Sequence, residues 1–551
     1  MGNAMERRTQ SGAFLERTPE TIFTPEQFGA EDRLMAEATE RFMREQVMPL
    51  VPRLESGEKS LMRALLEQAA SLGLMGVDVP PEYGGLGLPK TTSALITEKT
   101  ALQPSFAVSH AVHTSVGSLP LLLFGTREQA EKYLPRLTTG ESIGAYALTE
   151  PEAGSDALAA RTRAHREGDT YYLTGNKIWI TNAGFADLFV TFAKVDGARF
   201  TAFLVERSSP GLLVEREEHK LGLHGSSTCR VVLEQTPVPA ANRLGDEGQG
   251  AYVALYTLNI GRFKIGAAAV GLGKEAWGLG FEYAHERKQF GRPIAEFDLV
   301  WRKLAWGRTL LFVCESALYR LAGDLEAVFS TPEGDPQSRW RYVAASFAAE
   351  CALIKVATTE MLDWVIDDAL QIHGGYGFSE EYPVARLYRD ARVNRLYEGT
   401  NEINRLNLVE RLLYLRRRGL PLTLSRSSAP PHPNGEREVA PHSVVEATLA
   451  ALRHLTGKSL FALETAQEIP QAFVEPLSDA LIALYLLDSA FVRARMTGDP
   501  FQQAALALYH EHVRRHLAGW QTDLAPLTGE TPPRLMPQPL APLYEAVWCA
   551  L

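Results

Sequence analysis

YYLTGNKIWITN, from Tyr171 to Asn182, decides the fold, because it is a strand-forming stretch placed in the middle of a chain whose flanks are helical. Three runs of the same texture follow it: DLFVTFAKV (Asp187 to Val195), RFTAFLVER (Arg199 to Arg207) and CRVVLEQTPVP (Cys229 to Pro239). Rich in β-branched and aromatic residues and separated by Gly, Asp and Pro, they predict a compact β domain over 141–246. Upstream, DRLMAEATERFMREQVMPLV (Asp32 to Val51) puts Leu34, Ala38, Phe42 and Val47 close to one helical face, with Pro49 ending the run. That predicts a helical domain over 24–140, interrupted by the turn-rich PPEYGGLGLP (Pro80 to Pro89). Downstream, helical periodicity from Ala251 to Arg418 predicts a helix bundle over 247–417. A Pro- and Ser-rich linker over 418–442 follows, then a further helical domain over 443–551, opened by a capping-box pattern at Ser443 to Glu446 with Val445, Leu449, Leu452 and Leu455 at helical spacing. The fold class is mainly α with a central β domain.

Composition narrows the function. The 551 residues carry a formal net charge of -10, which offers no global attraction to phosphate backbones, so no nucleic-acid role is expected. Cys229, Cys314, Cys351 and Cys549 have no C-x-x-C spacing and no matching histidines, so they read as reduced core thiols and no metal site is expected. Neither a bilayer-spanning run nor a signal-peptide core is evident, which leads us to expect a soluble protein of a reducing compartment.

Several short segments carry chemistry. AYALTEPEAGSD (Ala145 to Asp156) offers hydroxyls and backbone donors to a polar ring or phosphate, although alone it also reads as a surface turn. On a strand, Trp179 and Thr181 point to one side, an aromatic face beside a donor; the alternative is core packing of a lone Trp. YAHERKQFGRPI (Tyr283 to Ile294) clusters Arg287, Lys288 and Arg292, suited to pyrophosphate or to a solvated helix end. QIHGGYGF (Gln371 to Phe378) pairs glycines that allow close approach of a ligand or form a helix cap. In LYEGTNEINR (Leu396 to Arg405), apolar and aromatic neighbours would raise the pKa of Glu398 toward the working range of a general base. The GLGKEAWG run (Gly271 to Gly278) has no preceding strand and is not a dinucleotide fingerprint.

Taken in order, TEPEAGSD, WITN, ERKQFG, QIHGGYGF and YEGTN resemble the acyl-CoA dehydrogenase family over about Thr24 to Leu415. The resemblance implies an N-terminal helical domain, a β-barrel-like middle domain and a C-terminal four-helix bundle; the extension is additional. HTSVGSLPLLLFGT (His113 to Thr126), NIGRFKIGAAAVG (Asn259 to Gly271) and that extension look most like the very-long-chain branch. By the same resemblance the cofactor is FAD. Tyr146, Leu148, Thr149, Ser155, Trp179 and Thr181 would line the flavin, and Thr400, Asn401 and Glu402 would continue those contacts. Arg287, Gln289 and Phe290 would meet the pyrophosphate and adenosine side, with Gln371, Gly374 and Gly375 reaching the adenine end from a second subunit. Ser155, Asn259, Arg262, Tyr397 and Gly399 would contact the acyl-CoA substrate. The family places its base in the YEGT motif or just before the arginine of the bundle's first helix; that second position is Gly261, so Glu398 is the candidate.

The implied reaction is removal of the α-proton by Glu398 with transfer of the β-hydride to FAD, giving a trans-2-enoyl thioester in fatty acid β-oxidation. The backbone N–H of Glu398 and a ribityl hydroxyl would steady the enolate oxygen. The implied partners are an electron-transfer flavoprotein and a second copy in a homodimer, or a tetramer, of a bacterial cytoplasmic protein. Asp298 and Ala183 depart from frequent family residues, which puts a subunit contact at Asp298 in doubt. Two other readings share the fold: an acyl-CoA oxidase that passes electrons to oxygen, and a scaffold flavoprotein working through its extension. From Leu420 onward nine Lys/Arg face thirteen Asp/Glu, which disfavours DNA and leaves at most peripheral membrane association. Ser115, Gly117 and Ser118 would permit a deep acyl channel if they line it.

Overall fold

The computed structural model describes residues 11–330, 335–418, 441–530 and 539–551, so the linker expected over 418–442 lies almost wholly outside the described residues. The first domain is helical. Helix α1 (Ala30–Phe42) is capped by Asp32, whose Oδ2 accepts the Gly29 N–H at 3.0 Å. Its buried seam is Ala36, Thr39 and Phe42, continued by Met43 and Val47. Leu34 and Ala38, expected inside, face outward; Leu34 is 63% exposed. Each lies two residues, roughly 200° of helical rotation, from Ala36. Nor does Pro49 end the run. It sits in a single 3-10 turn (Met48–Leu50) that feeds another helical turn (Val51–Glu55), where a missing N–H costs little.

Helices α2 (Lys59–Ser71) and α3 (Lys90–Thr100) precede α4 (Pro104–Val112), which passes through a π-helical turn (His113–Gly117) into α5 (Leu119–Phe124); α6 (Arg127–Thr138) closes the domain. Pro104–Phe124 is long and apolar enough to cross a membrane by length and composition, but 83% of its apolar window is buried inside the protein. His113 ties this domain to the next. Its Nδ1 accepts the Gly144 N–H at 3.0 Å, so Nε2 carries the proton and donates to the Leu137 carbonyl at 3.0 Å. Burial keeps that imidazole neutral, with its pKa pushed down to about 3.

The middle domain is one eight-stranded sheet in the order β6-β7-β3-β2-β4-β5-β8, with β1 beside β4. Its strands are β1 (Gly144–Ala147), β2 (Arg163–Glu167), β3 (Thr170–Thr181), β4 (Leu188–Val195), β5 (Arg199–Glu206), β6 (Leu212–Glu217), β7 (Thr228–Pro239) and β8 (Arg243–Leu244). β1 runs parallel to β4, pairing Tyr146 with Val190, and β3 runs antiparallel to β7, pairing Lys177 with Val231 and Ile180 with Cys229. Between those last two pairs the register slips, so the strand carries a bulge at Ile178 and Trp179.

The third domain is built on α7 (Gly250–Glu286), α8 (Asp298–Phe329), α10 (Ala348–His373) and α12 (Asn401–Arg417), with the shorter α9 (Pro336–Ser346) and α11 (Pro383–Ala391). The GLGKEAWG run lies inside α7, and Gly271 is there for packing: a Cβ would strike the backbone of Glu98 in α3. The extension adds α13 (Pro441–Leu463), α14 (Gln471–Thr497), α15 (Pro500–Thr528) and α16 (Ala541–Cys549), laid against α8 and α12. Val445, Leu449, Leu452 and Leu455 are all buried, as their spacing predicts. Helix α13 begins at Pro441, two residues before the boundary read from the Ser443 capping pattern. Cys229, Cys314 and Cys351 are buried, whereas Cys549 is exposed rather than a core thiol, because it ends α16 at the surface.

A buried ion cluster joins the segment around Phe14 and Thr18 to the bundle and the extension. Asp488 of α14, fully buried, accepts from Arg320 of α8 at 2.9 Å, from Arg453 of α13 at 2.7 Å and from Thr18 at 2.5 Å; Arg453 also donates to the Phe14 carbonyl. Phe14 packs edge-on against Tyr485. Removing one member of such a cluster leaves buried charge uncompensated. Asp488→Ala is therefore expected to lower unfolding free energy by about 3–5 kcal/mol in denaturant titration.

Candidate active site

The three domains meet around a cavity of about 310 Å³. One end is apolar: Ala107, Val108 and Ala111 of α4 face Ile265, Ala268 and Leu272 of α7. Alanines keep this slot open, and Ser115 lines it from the π-helical turn. Gly117 and Ser118, read beside Ser115 as channel residues, are not in the lining. A Cβ on Gly117 would press on Gly144, and the Ser118 hydroxyl is turned onto the His113 carbonyl. The other end is polar and brings together Tyr146, Leu148, Thr149, Ser155, Trp179, Thr181, Arg262, Tyr397, Glu398 and Gly399, the sequence-derived candidates from four separate segments.

Glu398 occupies that polar end in an unusual conformation. Its φ is +50° and that of Gly399 is +84°, so two successive left-handed residues turn the chain into the N-terminus of α12. A side chain at 399 would meet Asn404 Nδ2 at 3.1 Å as well as the wrong φ, which explains the glycine. The turn is held by Arg262 Nε, which donates to the Glu398 carbonyl at 3.1 Å, and by Asn404 Nδ2, which donates to the Gly399 and Thr400 carbonyls at 2.8 and 3.0 Å. Lys355 Nζ, from α10, donates to the Gly399 carbonyl at 2.9 Å and to Asn401 Oδ1 at 2.8 Å. Thr400 caps α12 by accepting the Ile403 N–H at 3.3 Å.

The Glu398 carboxylate lies directly over Gly261. A Cβ at 261 would come within 2.8 Å of its Cδ, so the absence of a side chain there creates the room the carboxylate fills. Oε2 is sealed from solvent and has no hydrogen-bond partner among the described residues. Burial pushes the pKa up to about 7, against the pull of Arg262 and Lys355. The Tyr146 hydroxyl is likewise buried without a partner. Two unpaired polar atoms facing one cavity mark a place where a ligand completes the hydrogen bonding.

The wall opposite is rigid. Glu150 accepts from Lys177 Nζ at 2.7 Å and from the Thr162 N–H at 3.0 Å, and Lys177 reaches the Leu148 carbonyl at 3.3 Å. This buried pair pins the Ala145–Asp156 loop to β3. Past the bulge, Trp179 has φ +56° and is 63% exposed, so it is not core packing. The bulge breaks the simple alternation expected of the strand, yet the indole and Thr181 still line one cavity. An indole held exposed at a strained backbone position suits a flat ring ligand.

Other candidates sit elsewhere. Asn259 is not in the cavity wall; it accepts from Arg262 Nη1 at 2.8 Å and donates to the Ala344 carbonyl, so it steadies Arg262 from behind. Asn401 is buried and its amide is already engaged by Lys355, Thr359 and Glu360, leaving that side chain no free donor for a flavin. Glu402 is exposed on the first turn of α12. Arg287, Gln289 and Phe290 form a surface hairpin of β9 (Lys288–Gln289) and β10 (Arg292–Pro293), with Phe290 93% exposed. Gln371, Gly374 and Gly375 lie exposed next to it, linked through Arg287 over the Tyr376 ring at 5.5 Å. The two motifs thus form one patch of this chain, outside the cavity lining. Lys355, Asn404, Glu150 and Lys177 were missed from the sequence, because what they do is set by tertiary contacts from other segments.

Three descriptions of one family match in chain order: "Acyl-CoA dehydrogenase, N-terminal domain" over 29–141, "middle domain" over 145–236 and "C-terminal domain" over 248–413. A "Probable acyl-CoA dehydrogenase" of Bacillus subtilis is 46% identical over 404 residues, 72% of this chain and 68% of that protein. The "Very long-chain specific acyl-CoA dehydrogenase, mitochondrial" of Bos taurus is 39% identical over 365 residues, 64% of this chain and 53% of its own. Among solved structures, an acyl-CoA dehydrogenase complexed with FAD from Bacillus anthracis matches with a TM-score of 0.90 at 36% identity, covering 98% of each chain, so that likeness includes the extension. Butyryl-CoA dehydrogenase from Megasphaera elsdenii matches at 0.64 and 33% identity, covering 70% of this chain and 99% of its own. With the domains in this order and 46% identity over 72% of its length, the chain belongs to the acyl-CoA dehydrogenase family.

Proposed function

We propose that the protein is an FAD-dependent dehydrogenase of long-chain acyl-CoA thioesters, with Glu398 as its catalytic base. The observation that carries this reading is the unpaired, buried Glu398 carboxylate at the polar end of an alanine-lined slot. The residues present fit FAD: the exposed Trp179 indole, the pinned Ala145–Asp156 loop and the unpartnered Tyr146 hydroxyl offer a stacking face and polar contacts on one side of the cavity. The chemistry that FAD supplies when bound is acceptance of the substrate's β-hydride. The protein's own part is proton transfer and alignment. Glu398, with its pKa near the operating pH, takes the α-proton, and the thioester oxygen gains charge as the enolate forms. The backbone N–H of Glu398 is the protein donor we assign to that oxygen, a role worth roughly 3–4 kcal/mol for a preorganised group. Arg262, Asn404 and Lys355 keep the turn fixed while this happens.

Small side chains along the slot favour a long acyl chain, and the product is a trans-2-enoyl thioester of β-oxidation. The exposed Arg287–Arg292 hairpin and Gly374–Gly375 are read as half of a cofactor contact completed by a second copy, which makes the working unit a homodimer. Its electron acceptor is an electron-transfer flavoprotein and its setting the bacterial cytoplasm.

Glu398→Gln is expected to slow bleaching of bound FAD by a saturated acyl-CoA by about 10³-fold; bleaching at the wild-type rate would remove Glu398 from its role. In wild type the bleaching rate should rise with pH through about 7, as the carboxylate ionises. The stability consequence has the opposite sign. The folded pKa is raised from 4.5, so ionised Glu398 costs stability as pH climbs from about 4.5 to 7. Thermal melts of Glu398→Gln should match wild type near pH 4 and exceed it above pH 7. Gly261→Ala should displace the carboxylate and lower turnover roughly 10²-fold with the fold retained by circular dichroism. Across acyl-CoAs of increasing length, kcat/KM should favour long chains, and peroxide formed in air during turnover would instead support an oxidase.

A further inference from the structure

The last helix of the extension reaches the root of the Arg287–Arg292 hairpin. That hairpin leaves from the end of α7 at Glu286 and rejoins the helical framework at Asp298, the start of α8. Its root is closed by the Ile294 N–H, which donates to the Arg287 carbonyl at 2.8 Å. Beneath it lies a small separate apolar cluster of Ala284, Ala295, Leu304 and Ile372. Tyr283, Ile294 and Val300 pack against that cluster, and so does Trp548 from α16, the extension's one contribution among the described residues. Ile372 directly follows Gln371, so the same cluster supports the Gln371–Gly375 segment; Tyr283 stacks on His373 at 4.2 Å.

Trp548 is placed between the hairpin's two shoulders. Its ring stacks with His285 of α7 at 5.9 Å and with Trp301 of α8 at 6.2 Å, at interplanar angles of 22° and 26°. Phe281, one turn earlier on α7, meets it at 6.2 Å and continues the row to Trp277 at 4.8 Å. A flat ring in contact with both shoulders fixes their spacing, and that spacing sets where Arg287, Gln289 and Phe290 stand. Elsewhere α16 touches the bundle through Tyr544 beside Trp306, well along α8.

We infer that Trp548 is a positioning residue for the cofactor: by stapling the ends of α7 and α8, the C-terminal helix holds the Arg287–Arg292 hairpin in the geometry that retains FAD. The inference rests on reading that hairpin as a cofactor contact. It gives the extension a task in the active unit that does not require any further partner.

The test is FAD retention by the holoenzyme, measured as the FAD dissociation constant from flavin fluorescence on dilution and titration. Loss of aromatic contacts of this size predicts that Trp548→Ala weakens FAD binding by about five-fold, while kcat at saturating FAD stays at the wild-type value. Trp548→Phe should bind FAD as wild type does, and it stands in if the alanine variant fails to fold, with Trp548→Leu as the variant expected to lose affinity. Phe501→Ala is the comparison for general destabilisation, since Phe501 packs edge-on against Phe312, eleven residues further along α8 than Trp301, and it should leave FAD affinity unchanged. Unaltered FAD affinity in Trp548→Ala and Trp548→Leu would overturn the inference, as would an equal loss in Phe501→Ala. Arg287→Ala separates the two levels: if it weakens FAD while the Trp548 variants do not, only the staple is wrong. If Arg287→Ala also has no effect, the hairpin is not a cofactor contact.

Discussion

The constraint on which the site depends is the fit of the Glu398 carboxylate over Gly261. Burial of its charged form brings a carboxylate's pKa toward neutral, and α7 makes room for the buried carboxylate by presenting no side chain at Gly261. The rest of the polar end follows from keeping that carboxylate in place. A left-handed residue must be over-determined by its surroundings, and Arg262, Asn404 and Lys355 each hold a carbonyl of the same turn. None of the three contacts the carboxylate through a hydrogen bond, which leaves Oε2 unpaired and ready for a proton. Rigidity and reactivity are thereby assigned to different atoms of one turn.

The opposite wall solves a related problem by different means. A buried Glu150–Lys177 pair fixes a loop to a strand, and a bulge in that strand then turns Trp179 outward. Neither element is stable at low cost: a buried pair needs full hydrogen bonding, and a left-handed Trp needs a neighbouring framework. Glu150 meets the first need with two backbone N–H groups besides Lys177, those of Arg161 and Thr162. The polar end is thus bounded by two strained residues, Glu398 and Trp179, each with a buried lysine close by in the chain or the turn: Lys355 holds the Gly399 carbonyl, and Lys177, two residues before Trp179, holds Glu150.

Much of this was legible in the residues. Helix and strand textures separate the three domains, and the apolar spacing in α13 marks its buried face. Glu398, Arg262, Tyr146 and Trp179 are reachable because each lies in a short motif whose order is distinctive. What escaped the sequence is rotational phase and function at a distance. Leu34 and Ala38 share a periodicity with Phe42, but the seam is chosen by what lies opposite, and it falls on Ala36, Thr39 and Met43. Asn259 and Asn401 look like ligand residues by position, yet each is consumed in holding a neighbour. The backbone bulge that exposes Trp179 has no signature in YYLTGNKIWITN, since it depends on how β7 pairs with it.

The cluster at Asp488 also bears on how the chain comes into being. Phe14 and Thr18 precede the groups that receive them, Arg453, Tyr485 and Asp488, by more than four hundred residues. During synthesis Ser11 and Gly12 can meet Glu350 first, whereas Phe14 and Thr18 lack these partners until more than four hundred further residues have emerged. Full closure of the strap over 11–18 therefore waits for the extension to fold onto the bundle, since Asp488 binds Thr18 and Arg320 together.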